Sequence, residues 1–92
     1  MYIPIGGDMA VREETILGIF DLDNTSWSSR TREFLKQAEL DGAVIAVGDE
    51  LPKSFILTRE MGMDRVYLTQ FSSATLEKRL TKRRPNSWLT KF

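Results

Sequence analysis

The sequence predicts a small α+β domain, a mostly antiparallel sheet with two helices in the order β-β-β-α-β-β-β-α. Three observations predict it. Short β-branched or apolar runs recur between clusters of Gly, Asp, Asn and Ser. Two longer stretches carry apolar residues at helical spacing behind N-cap residue types. The chain has 92 residues, which is room for one domain with a core near the lower limit of self-sufficiency.

Each element follows from local chemistry. Tyr2–Ile5 reads as a short strand ended by Gly6-Gly7-Asp8, and Met9–Val11 as a second. Thr15–Phe20 is β-branched and apolar, a good buried strand. Asp23, Asn24, Thr25 and Ser26 are all N-cap types and precede a helix from about Trp27 to Leu40. Trp27, Phe34, Leu35 and Ala38 fall on one face of it, with Thr31 between them. Asp41-Gly42 ends it, the glycine suiting the residue just past a helix. Ala43–Val47 is a strand followed by a turn at Gly48-Asp49. Lys53–Arg59 and Arg65–Thr69 read as paired strands joined by residues 60–64. Ser72 or Ser73 caps a last helix from Ala74 to Arg83 or Arg84, and Pro85-Asn86 stops it. Residues 1–84 form the domain and 85–92 a C-terminal tail containing Trp88, Leu89 and Phe92. Trp27 reads as core, and Trp88 as a residue docked on the body or on a neighbour.

Phe55, Ile56 and Leu57 are consecutive, so both faces of their strand are apolar. Either one helix on each face or a subunit interface must cover them. A core this small often draws on oligomerisation.

Composition excludes several chemistries. There is no Cys and no His. That removes disulfides, thiolate catalysis, imidazole bases and the usual zinc ligands, and leaves carboxylates for any metal. No apolar run approaches the ~20 residues of a membrane span, and the first residues lack a basic leader, so the chain reads as cytoplasmic. No cofactor and no small-molecule substrate are expected. The formal net charge is zero but unevenly placed. Residues 1–70 hold 7 Lys/Arg and 12 Asp/Glu, whereas residues 71–92 hold 6 Lys/Arg and 1 Asp/Glu. An acidic body with a basic C-terminal part suits an anionic partner or a self-complementary contact.

Ile16–Thr25 reads Ile-Leu-Gly-Ile-Phe-Asp-Leu-Asp-Asn-Thr. An apolar strand ending in Asp-x-Asp-x-Thr is how phosphatases of the haloacid-dehalogenase type present a nucleophile, here Asp21, and a proton shuttle, here Asp23. Val44–Glu50 even resembles their strand-Gly-Asp segment for Mg²⁺. Phosphoryl transfer also needs a positive clamp, held with the acids at the ends of parallel strands. Only 27 positions separate Asp21 from Gly48, room for one helix. Lys53 follows the acidic segment, in the wrong order for that family's clamp. The simpler role of Asp23, Asn24 and Thr25 is to cap the next helix, and the protein reads as non-enzymatic.

Other residues carry a resemblance. Met-Tyr-Ile-x-Ile-Gly at 1–6 and Ile-Leu-Gly-Ile-Phe-Asp-Leu-Asp-Asn-Thr at 16–25 are followed by Thr-Arg-Glu-Phe-Leu-Lys at 31–36. Leu-Pro-Lys-Ser-Phe stands at 51–55 and Ser-Ser-Ala-Thr-Leu-Glu-Lys-Arg at 72–79. In this order the chain resembles the RemA/RemB family of bacterial extracellular-matrix (biofilm) regulators, on the RemB-like branch. The resemblance implies a cytoplasmic ring-shaped homo-oligomer that binds double-stranded DNA to control transcription. A cyclic head-to-tail ring joins two different surfaces, which suits an acidic body and a basic end. In the RemA branch, paired arginines before the strand of Phe55 contact DNA. Here those positions are Glu50 and Leu51, and Lys53 keeps the nearby positive charge. A further family arginine falls opposite Thr15.

The candidate DNA contacts are Lys53, Lys78, Arg79, Lys82 and Arg83. The last four share one face of the expected helix, at i, i+1, i+4 and i+5, with Leu76 and Leu80 on the apolar side and Arg84 beside them. Repeated around a ring they would form a positive band. Two other roles stay open. The cations could simply favour the helix C-terminal dipole, or they could dock on a neighbour's acidic residues such as Asp41, Asp49 or Glu50. In the second case the protein would be an oligomeric interaction module without DNA binding. Gly6-Gly7 and Gly48 read as turn glycines and not as a phosphate loop.

Overall fold

The computed structural model describes residues 1–22 and 29–80, with side chains in the second range from residue 32 onward. Its elements are β1 (Tyr2–Gly6), β2 (Met9–Arg12), a 3-10 turn (Glu13–Thr15), β3 (Ile16–Asp21), α1 (Ser29–Leu40), β4 (Val44–Ala46), β5 (Ser54–Glu60), β6 (Met63–Thr69) and α2 (Ser73–Arg79). The predicted order is therefore observed. One expectation is corrected: the strands form two sheets and not one. β1 and β2 make an antiparallel hairpin, and the other four are ordered β3-β5-β6-β4. All pairings are antiparallel except β4 with β6, which is parallel.

β5 organises the core. Its side chains alternate between faces. Phe55 and Leu57 join Phe20, Ala38 and Val66, with Phe34 and Leu35 of α1 packed against them. Phe55 stacks on Phe20, ring centroids 4.7 Å apart. Ile56 points the other way, into Ile3, Ile5, Val11, Ile16, Ile19, Val47, Tyr67 and Leu76. The three consecutive apolar residues are thus covered by α1 on one face and by the β1–β2 hairpin plus α2 on the other. Polar stitches hold the second cover. Thr69 Oγ1 donates to the Ile5 carbonyl and accepts from Phe71 N–H. Ser54 Oγ donates to the Phe71 carbonyl at 2.6 Å.

The helix ends follow local chemistry. At the end of α1, Gly42 adopts φ 71°. Its N–H reaches Glu39 O and the Ala43 N–H reaches Ala38 O, the double bond pattern that lets glycine close a helix. Ser72 caps α2, its Oγ accepting from Thr75 N–H at 3.2 Å. A second correction concerns length. α2 ends at Arg79, where Leu80 turns extended, its N–H held by Glu77 O and its side chain packed against the core. A third concerns the hairpin of β5 and β6. Their ladder runs to Glu60↔Met63, so the connection is the two-residue turn Met61-Gly62. The caps expected at 23–26, Trp27, Lys82, Arg83, Arg84 and Trp88 lie outside the described residues.

Candidate nucleic-acid interface

α2 is mounted on the molecule by both of its ends. At its start Ser73 Oγ lies 3.5 Å from Asp21 Oδ2, tying it to β3. Leu76 is buried in the core below it. At its end the Arg79 guanidinium lies over the Phe71 ring, 4.4 Å from the centroid, and Nη1 donates to the Pro4 carbonyl at 3.1 Å. Pro4 has no N–H to offer a further strand, so this contact closes part of the β1 edge. Sequence reasoning missed the clamp. Its partners are 75 positions apart, and no local pattern announces it.

The expected contacts separate into groups. Lys78 is exposed, on the last turn of α2. Arg79 is half-buried, and part of its hydrogen-bonding capacity already serves the fold. Lys53 is exposed just before β5, its backbone bonded to Thr69 O and Leu22 N–H. Residues 69–71 lead into α2, so Lys53 stands near its start, and Lys78 lies on its last turn. Of the row expected at 78, 79, 82 and 83, α2 carries Lys78 and Arg79, and the other two lie outside the described residues. The loop before Lys53 exposes Asp49, Glu50 and Leu51, the last of them 87% accessible.

The strand carrying Asp21 sits at an edge of the four-stranded sheet, antiparallel to β5. The segment carrying Asp49 follows β4 at the opposite edge. Three strand spacings, roughly 14 Å, separate the two strands themselves. Among the described residues no group of three or more carboxylates is placed to hold a metal ion. No described helix is long and apolar enough to cross a membrane.

What these features define is a small layered α+β domain that carries a cationic surface helix clamped by its own hairpin. Compared with characterised proteins, the chain is 35% identical over 79 residues to extracellular matrix regulatory protein B of Bacillus subtilis (strain 168). The alignment covers 86% of this chain and 89% of that protein. The chain belongs to that family, as its RemB-like motifs lead one to expect. No protein-family model matches it.

Proposed function

We propose that the protein is a non-enzymatic regulator of extracellular-matrix type that assembles into a ring and binds double-stranded DNA in the cytoplasm. The observation that carries this reading is kinship with a matrix regulatory protein over nearly the whole chain. The net excess of positive charge beyond residue 70 supports it. Lys53 and Lys78 reach phosphates first, Arg79 with its remaining donors, and Lys82 and Arg83 extend the surface in sequence. The contacts are to the backbone, so affinity falls steeply with salt as counterions are released. The placement of β3 and β4, which lead to Asp21 and to the Asp49 segment, at opposite edges of the sheet supports the absence of phosphoryl transfer.

The test is fluorescence anisotropy of a labelled duplex of about 40 base pairs across a salt series. Tight binding with a steep negative salt slope is expected. Replacing Lys78, Arg79, Lys82 and Arg83 together by Ala should weaken binding and flatten the slope. Unchanged binding in that variant would remove this surface from the assignment. A second reading is a protein-interaction module without DNA binding. It is favoured by exposed Glu50 and Leu51 where the RemA branch carries arginines, and by the use of Arg79 in the fold. Absence of duplex binding even at low salt would select it.

A further inference from the structure

The turn of the β5–β6 hairpin departs from the usual turn chemistry. Its central residues Met61 and Gly62 both have positive φ, 52° and 78°, as a type I′ turn requires. Glycine adopts this freely, and Asn or Asp at little cost, but methionine is strained there. Met61 is also fully exposed, at 103% of its reference area, and Met63 beside it is 62% exposed. A bulky apolar side chain thus stands in water, on a backbone that favours Gly, Asn or Asp over it.

The strands on either side of the turn are tied together. Arg59 grips Asp64 with Nε at 2.7 Å and Nη2 at 3.4 Å. Glu60 accepts from Tyr67 Oη at 3.0 Å and from Thr58 Oγ1 at 3.1 Å. The charges flanking the turn are therefore engaged within the hairpin. What the tip offers outward is thioether, on a stalk that loses little freedom when it docks.

The opposite end of the sheet offers a receptor. A shallow, open hollow of about 240 Å³ lies between the β1–β2 turn and the end of β4, lined by Gly6, Gly7, Met9, Ala46, Val47 and Gly48, with Asp8 on its wall. Backbone forms much of it, and the backbone is fixed by packing. A Cβ on Gly6 would come within 3.2 Å of Val47, and one on Gly48 within 3.2 Å of Gln70. Because β4 runs parallel to β6, Ala46 pairs with Leu68, some 17 Å along β6 from Met63. Knob and hollow thus sit at opposite ends of one chain. A contact between them on neighbouring copies is head-to-tail, the kind that closes into a ring when the rotation between copies allows it. Exposed Arg65 by the knob and exposed Asp49 and Glu50 by the hollow add opposite charges to the two sides.

We propose that Met61 of one copy inserts into the glycine-lined hollow of the next, and that this contact assembles the protein. The inference rests on the ring in the proposed function. A smaller hollow of about 120 Å³, lined by Phe34, Ala38, Val66 and Asp64 among others, lies near the knob itself and would give reciprocal two-fold pairs. It is the competing receptor.

The test measures the mass distribution of the full chain over a concentration series by analytical ultracentrifugation. Met61→Asn relieves the turn and removes the knob. Ala46→Gln fills the hollow from an exposed strand position. Each should weaken assembly at least about tenfold. At dilution, where both proteins are monomeric, Met61→Asn should melt no lower than wild type, which separates lost docking from lost folding. Because the chain has no native Cys, a Met61→Cys/Ala46→Cys double variant provides an independent readout. Mild oxidation should give a ladder of covalent multimers that neither single variant gives. Wild-type assembly in both Met61→Asn and Ala46→Gln would overturn the contact and leave the ring standing. Loss in Met61→Asn alone, with dimers as the limit, would overturn the glycine-lined hollow in favour of the smaller one. A wild-type chain that stays monomeric at every concentration would overturn the ring and this contact with it.

Discussion

The two faces of β5 are covered in different ways. On one, Phe55 and Leu57 meet α1, and contact is by apolar packing around the Phe20–Phe55 stack. On the other, Ile56 meets a cover assembled from distant parts of the chain, the β1–β2 hairpin and α2. There the apolar contacts are supplemented by bonds from Thr69 to Ile5, from Ser54 to Phe71 and from Arg79 to Pro4. A helix lying against a sheet can be held by shape alone. A hairpin and a two-turn helix bury less each, and directional bonds fix where they sit. The second face is the one that positions the cationic helix, so orientation there bears on the proposed duplex contact as well as on stability.

The largest break comes from emptying either side. Phe55→Ala should lower the unfolding free energy by about 3–5 kcal/mol and Ile56→Ala by about 2–5 kcal/mol. Both residues are essentially inaccessible. Urea denaturation checks both. For Ile56→Ala, hydrogen exchange should rise first in β1, β2 and α2, and for Phe55→Ala first in α1. Identical exchange patterns in the two variants would show that the faces do not differ as described.

The next break removes only directional bonds. Thr69→Val keeps the shape and strips the hydroxyl that serves Ile5 O and Phe71 N–H. Leaving buried groups unpaired costs about 1–3 kcal/mol. The same measurements should place the loss on the hairpin side and spare α1.

Much of this arrangement was legible in the sequence. The triplet Phe55-Ile56-Leu57 announced a strand with two buried faces, Gly42 announced the end of α1, and the pair Ser72-Ser73 the start of α2. These are local signals, spread over a few residues. The division into two sheets was not legible, because which strand pairs with which depends on contacts far apart along the chain. The stop of α2 at Arg79 was missed because Thr81 to Arg84 read as tolerable helix. What ends the helix is Leu80 turning into the core. The tight hairpin was read as a five-residue link because methionine is no turn residue. Of the candidate site, sequence found the exposed cations Lys53 and Lys78, but not that Arg79 is clamped over Phe71.

A smaller change acts on the mounting of α2 alone. Ser72→Ala removes the cap on Thr75 N–H and should cost about 1 kcal/mol, with Ser72→Gly costing less. If the cap serves only stability, duplex binding by the folded variant stays at wild type. If it also fixes the position of Lys78, affinity falls while the fold persists.

The smallest effect is a pH dependence on the same face. Burial raises the Tyr67 hydroxyl above its usual 10.0, the Glu60 carboxylate adds to the rise, and the nearby Arg65 opposes it. A raised pKa in the folded state means that the native protein keeps this proton longer than the unfolded chain does. The resulting stabilisation is complete below the unfolded value and is lost as pH climbs from there through the folded value. Melting temperature should therefore fall as pH rises beyond about 10, in addition to any general alkaline effect. Tyr67→Phe removes the titrating group and the bond to Glu60 together. Relative to wild type it should be less stable near neutrality and lose less on going alkaline. A variant that tracks wild type at every pH would mean that the Tyr67–Glu60 bond adds nothing to the stalk that presents Met61.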